Sequence, residues 1–283
     1  GAQWFATQFE NINEGHLSKD TLIEDEWGFV VALSSYWHQL MTGRTTELGN
    51  WAQHHADSLS NMASSYRTLG RPDKGLPLDE EAVSICRKGY ASSPEDWDES
   101  YADCLNSLAG TCAQLGRLDD ALSSYDWALT ICQKGYSSSP ERWAWEYSRS
   151  LANLASIHYD LDRPDKALPL DEKALTISRD GYASCPEHWA WSHAGSLQNL
   201  AGTYRNLGRI DEALPLSEEA LAINREGYAS APTFWDEFYA NNLGNLANIY
   251  TDLGRTEEAL PLSEEALAIR RKGYESSPEG WAE

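Results

Sequence analysis

Between residues 51 and 280 the apolar positions recur at helical spacing, in two segments per unit, and the whole pattern returns every 46 residues. Leu151, Leu154, Ala155 and His158 stand at i, i+3, i+4 and i+7, which is one face of an α-helix. A glycine column follows, Gly70, Gly116, Gly208 and Gly254, with Asp162 in the third copy, and predicts a left-handed helix stop. A second helical stripe carries Ala167, Leu168, Leu170, Ala174, Leu175 and Ile177. It is expected to end at Gly181, whose column holds Gly89, Gly135, Gly227 and Gly273 in the other copies. A tyrosine follows each of these glycines, as in a glycine C-cap with its hydrophobic contact. The restart is also local: Ser92, Ser138, Ser184 and Ser276 precede x-Pro-Glu, which predicts a serine N-cap closed by a capping box. Thr233 breaks this pattern in the fourth copy. A first helix over residues 94–115 would run about 22 residues, or roughly 33 Å.

Trp51, Trp97, Trp143, Trp189, Trp235 and Trp281 keep the same period, as do Ala63, Ala109, Ala155, Ala201 and Ala247. The chain therefore contains five tandem units, 51–96, 97–142, 143–188, 189–234 and 235–280, and residues 281–283 open a sixth. Because no such unit buries its apolar face alone, stacking is required, and the periodic tryptophan is expected to fill the seam between units. Residues 1–50 fit the period poorly and read as a degenerate helical cap. Proline stands near the start of the second helix in four copies (Pro77, Pro169, Pro215, Pro261), with Ser123 in the other, and predicts a shallow bend.

The pattern Leu-x-x-Leu/Met-Ala-x-x-Tyr-x-x-x-Gly-Arg-x-x-x-Ala-Leu-x-x-x-x-x-Ala-Leu-x-Ile, complete in residues 243–269, resembles the tetratricopeptide repeat. The unit is about 12 residues longer than the 34-residue form. In that it is similar to the kinesin-light-chain type and to arrays attached to fungal and bacterial signalling NTPases. The resemblance implies an all-α fold, a right-handed α-α superhelix of five 46-residue helix-turn-helix repeats behind a degenerate N-terminal cap. The first helices would line a concave groove and the second helices face outward. It also implies a non-enzymatic protein–protein interaction scaffold that binds an extended peptide in the groove. Two other classes stay open: a sensor or scaffold arm of a larger NTPase-coupled signalling protein, and a helical-repeat enzyme.

In the register of that family, Asn61, Asn153, Asn199 and Asn245 form one groove column, with Ser107 as its gap. An amide offers a donor and an acceptor, which suits both backbone groups of an extended peptide; the alternative is that each amide bonds a neighbouring helix. Trp145 and Trp191 share a column two residues beyond the seam tryptophans, either as aromatic anchors for a partner or buried against the next turn. Arg149, Tyr159, Gln198, Arg205 and Asn248 complete the candidate peptide-binding set. Acids outnumber arginines along this stripe, which favours a neutral to basic extended segment with one apolar anchor.

Composition narrows the field further. A net charge of −22 and a pI near 4.6 argue against nucleic acid or an anionic membrane as partner. Paired acids such as Glu80/Glu81, Glu218/Glu219 and Glu264/Glu265 fall on the second helix and read as a solvated outer face. No apolar run approaches the roughly 18–20 residues of a membrane span. Five cysteines without a C-x-x-C pair read as reduced thiols of a cytoplasmic protein. His158 shares the column of Tyr66, Tyr204 and Tyr250, and His55 and His193 that of Tyr101, Tyr147 and Tyr239, so all three read as core substitutes. No catalytic, phosphate-binding or metal-ligand motif is present, so neither enzyme chemistry nor a cofactor is expected. The last unit lacks a polar capping helix, which suggests a fragment of a longer array, and an uncapped end offers a surface for end-to-end self-association.

Overall fold

The structure is a computed structural model that describes residues 48–276. Most of the expected N-terminal cap, the sixth-unit remnant and the end surface suggested for self-association lie outside the described residues. All regular structure among the described residues is α-helical. The ten helices are α1 (Leu48–Thr68), α2 (Pro72–Ser92), α3 (Pro94–Gln114), α4 (Leu118–Ser138), α5 (Pro140–Asp160), α6 (Pro164–Ser184), α7 (Pro186–Asn206), α8 (Ile210–Ser230), α9 (Pro232–Asp252) and α10 (Thr256–Ser276).

They belong to two compact units, divided within α4 between Ser124 and Tyr125. In the first unit α1 packs on α2, α2 on α3, and α1 also touches α3. In the second, α5 to α10 pack each on the next, and the first helices of the pairs touch in turn, α5 with α7 and α7 with α9. Small residues permit this close approach. A methyl group added at Gly75 of α2 would lie 3.0 Å from the Ala63 carbonyl oxygen of α1. The same columns elsewhere hold Ala109, Ala121, Ala155, Ala167, Ala201 and Ala213, all buried. Around them close Leu151, Leu154, Leu197, Leu200, Leu243 and Leu246.

Within each pair the helices are joined by a three-residue turn. Gly70, Gly116, Gly208 and Gly254 adopt φ of 66–73°, and Asp162 takes the same left-handed state at φ 55°. The following arginine N–H reaches back five residues, as from Arg71 to Tyr66 O (2.9 Å) and from Arg209 to Tyr204 O (2.8 Å), which is a Schellman closure. The arginine is thereby placed over the tyrosine of the same turn, 4.3 Å for Arg209 on Tyr204 and 4.4 Å for Arg255 on Tyr250. The helices α2, α6, α8 and α10 run uninterrupted through Pro77, Pro169, Pro215 and Pro261.

The joint between pairs differs from the sequence expectation in two respects. First, Ser92, Ser138 and Ser184 do not cap the next helix; they are the last residues of the preceding one. Their hydroxyls bond back to Lys88 O, Gly135 O and Asp180 O. A single extended residue follows, Ser93, Ser139, Cys185 or Ala231, with φ between −148° and −143°. The reason is the proline immediately after it, whose ring expels the preceding residue from the α region. The cap position is therefore one residue later than the serine pattern suggests.

Second, Gly89, Gly135, Gly181 and Gly227 are helical, and the helix continues for three residues beyond each. What they supply is room. A methyl group on any of them would overlap the indole of Trp97, Trp143, Trp189 or Trp235, eight residues on and in the next helix. The tyrosine after each glycine meets an aromatic residue one turn past that indole: Tyr90 with Tyr101, Tyr136 with Tyr147, Tyr182 with His193 and Tyr228 with Tyr239, at ring separations of 5.0–5.2 Å. Gly135→Ala is accordingly expected to lower stability by about 1–3 kcal/mol through overpacking, although alanine favours a helix by about 1 kcal/mol. Urea unfolding measures the loss, and adding Trp143→Leu should recover part of it.

Candidate functional site

The first helices of the second unit present their faces side by side. Trp191, Gln198 and Arg205 lie seven residues apart along α7, and Phe238 and Asn245 lie seven apart along α9, so each set shares one stripe. Between α5, α7 and α9 lies a cavity of about 300 Å³. Of the residues singled out from sequence, Tyr159, Gln198, Asn199, Arg205 and Asn245 border it. Asn199 and Asn245 are exposed, and Tyr159 is 43% exposed. Arg205 is held by Asp252, Nε to Oδ2 at 2.5 Å.

The other candidates stand elsewhere. Asn153 is half-buried on α5, Asn248 is exposed on α9, and Asn61 is exposed on α1 of the first unit. Trp145 is half-buried, with the Arg149 guanidinium 5.0 Å from its ring. Trp191 is 41% exposed and meets Phe238 edge-on at 5.6 Å. Phe234, itself exposed, lies 6.2 Å from Phe238. The two tryptophans of one sequence column thus have different surroundings, because Phe238 replaces the polar residues His54, Ser100, Glu146 and Ser192 of its own column.

Sequence reasoning missed the most unusual group at the cavity. Asp171 comes from α6, a second helix whose acids were assigned to the outer face, yet it is only 2% exposed and borders the cavity. Thr203 of α7 donates to its Oδ2 at 2.7 Å, while Oδ1 is buried with no hydrogen-bond partner. Burial drives the carboxyl up from its ordinary 3.8 to about 7, against the lowering effect of the Thr203 hydrogen bond. The available signal was a column that holds Asp79, Tyr125, Asp171, Ser217 and Ser263, matched by Thr111, Ile157, Thr203 and Ile249 on the facing helix. Acid and threonine occur together twice, as Asp79 with Thr111 and as Asp171 with Thr203.

One further arrangement imitates a hydrolase relay. Ser178 Oγ lies 3.3 Å from His193 Nδ1, and His193 Nε2 lies 3.6 Å from Glu219 Oε1. Ser178 is fully buried and its hydroxyl donates to Leu175 O at 3.1 Å, so no substrate reaches it. Burial lowers the His193 pKa, and its ring packs on Tyr182. The Cys86 thiol does no better as a nucleophile. Cys86 and Cys104 face each other with Sγ atoms 3.2 Å apart, and that contact together with burial pushes the Cys86 thiol far up. Among the described residues no cluster of His, Cys, Asp and Glu is arranged to hold a metal ion, and no helix is long and apolar enough to cross a membrane.

Asp171 also leaves a mark on stability. Between pH 3.8 and about 7 the folded chain holds a proton that the unfolded chain has released, so stability falls as pH rises through that window. The total is up to about 4 kcal/mol at one pKa unit per 1.36 kcal/mol. Asp171→Asn removes this penalty. It is expected to raise the thermal midpoint over the parent at pH 8 while leaving the two close together near pH 4, as followed by circular dichroism.

Comparison with known proteins agrees with the helical architecture. One family model for the tetratricopeptide repeat matches residues 54–134, and a second matches residues 148–188, 193–228 and 241–279. Among solved structures, BtubC (BKLC) from P. vanneervenii is 19% identical, with a TM-score of 0.63 over 87% of this chain and 91% of that one. A kinesin-light-chain-type protein of P. anserina with nearly identical TPR-like repeats is 22% identical, with a TM-score of 0.58 over 77% and 96%. At these identities the likeness speaks for the fold. Comparison with curated proteins finds no match.

Proposed function

Because the chain belongs to the tetratricopeptide-repeat family, we propose that it is a protein-interaction scaffold holding an extended partner segment along the first-helix wall of its second unit. The observation that carries this reading is the open cavity between α5, α7 and α9, bordered by the exposed amides of Asn199 and Asn245. Such amides can donate to a peptide carbonyl and accept from the N–H beside it, so they grip a main chain whatever its side chains. Further along the same wall, Trp191, Phe238 and Phe234 form an aromatic cluster with much of its surface in solvent. It suits one apolar anchor of the partner, since exposed aromatics are the residue type that dominates interface energies.

The partner segment is neutral to basic. The chain as a whole is strongly acidic, and Asp160, Asp171 and Asp252 lie at or beside the cavity against Arg205 alone. Such a field steers cations toward the wall and speeds their encounter with it. Five cysteines that form no disulfide fit a reducing, cytoplasmic setting. An immobilised-peptide array tests the reading. Asn199→Ala with Asn245→Ala should abolish or weaken most detected interactions, and an unchanged binding pattern overturns the amide clamp. Trp191→Ala should weaken binding about tenfold or more, in line with an interface anchor, while the thermal midpoint stays close to that of the parent.

A further inference from the structure

The first unit contains a cation-filled counterpart of what the second leaves open. In α2, Asp79 is buried, Thr111 of α3 donates to its Oδ2 at 2.5 Å, and its Oδ1 has no hydrogen-bond partner. This is the arrangement of Asp171 and Thr203, displaced by two units or 92 residues. Around Asp79 the chain supplies its own cation. The Arg67 guanidinium of α1 donates to Ser107 O at 2.7 Å, to Thr111 Oγ1 at 3.2 Å and to Ser64 Oγ at 3.2 Å, and stands 3.9 Å from Asp79 Oδ2.

Adding 92 to each of these positions gives Ser156, Tyr159, Asp171, Asn199 and Thr203, and all five border the 300 Å³ cavity. Four of the five retain a hydrogen-bonding side chain, and the acid, the threonine and Ser156 are identical. The fifth, Tyr159, replaces the arginine and is 43% exposed. Where the first unit has a guanidinium, the second therefore has a space lined with equivalent polar groups, Asn199 standing for Ser107. From this we infer that the cavity beside Asp171 receives the guanidinium of an arginine side chain carried by the bound partner.

The chemistry of the cavity suits that guest. A guanidinium offers five donors in a plane, and the cavity is bordered by Asp171, the Asn199 and Asn245 amides and the Ser156 hydroxyl. A buried acid with an unsatisfied oxygen is costly when ionised alone and is compensated when a cation pairs with it. Among the described residues the only cation bordering the cavity, Arg205, is engaged by Asp252. Its equivalents of Asp79 and Thr111 are Ser217 and Ile249, so it stands opposite a hydroxyl and an apolar side chain rather than an acid.

This inference rests on the groove reading proposed above, and a small probe separates the two. N-acetyl-arginine amide is titrated into the intact chain with amide chemical shifts as readout, beside N-acetyl-citrulline amide, which has nearly the same shape and no charge. Saturable shifts at Asn199, Thr203 and Asn245 are expected with the arginine probe, and at least tenfold weaker ones with citrulline. Affinity should also rise about tenfold from pH 6 to pH 8, as Asp171 ionises around 7. Bordering the same cavity are Tyr159 and Asp160 from α5, Thr203 and Arg205 from α7, Ser217 from α8 and Asn245 from α9.

Asp171→Asn should abolish the arginine response with the fold intact. Tyr159→Arg, which writes the first unit's arrangement into the second, should block the probe as well. Equal responses to both probes, or none to arginine, overturn the inference. If the arginine probe fails while the asparagine variants still lose peptides on the array, only the arginine site falls. If the probe binds and those variants lose nothing, the amide clamp falls instead.

Discussion

The fold depends on an indole seated on a bare helical backbone. At each joint, a glycine three residues before a helix end leaves a hollow, and the tryptophan eight residues later lies over it. A proline begins the next helix after one extended residue, so the chain reverses in the shortest possible space and the indole has one place to go. Spacing along the chain and packing between helices are here the same constraint. An extra or missing residue between glycine and tryptophan would turn the ring off its seat, since each residue rotates a helix by about 100°. The same joint sets the tyrosine contacts beyond it, and with them the direction in which the next helix leaves.

How much of this was legible depended on whether a residue acts within its own helix or across a seam. Helix content and pairing were plain, because Leu151, Leu154 and Ala155 mark a face by spacing alone. The left-handed turn at Asp162 was equally legible, since its column otherwise holds glycine. The joint was misread for two physical reasons. A glycine near a helix end has two uses, a positive φ or a missing side chain, and Gly135 serves the second. Serine two residues before proline looks like a cap until the proline's steric demand on its neighbour is counted, which moves the boundary to Ser93 and Ser139.

The site divides in the same way. The residues of the first helices, Tyr159, Gln198, Asn199, Arg205 and Asn245, could be proposed together because one stripe carries them all. Asp171 could not, because it reaches the cavity from the other helix of the pair, and in a chain with 44 acidic residues another aspartate attracts no notice. Its distinction lies in burial, which only packing reveals. Phe238 was missed for a related reason: one aromatic among polar residues of a column looks like drift until Trp191 is found against its edge.

The joints and the inner wall draw on different positions. Glycine, proline and tryptophan repeat almost unchanged through every junction described, while the wall column passes from Asp79 through Tyr125 and Asp171 to Ser217. Letters on the wall can therefore be exchanged one cassette at a time without disturbing the hinges that align them. A lineage that duplicates or shuffles such cassettes acquires a new recognition code at the cost of a few substitutions, on a frame that already folds.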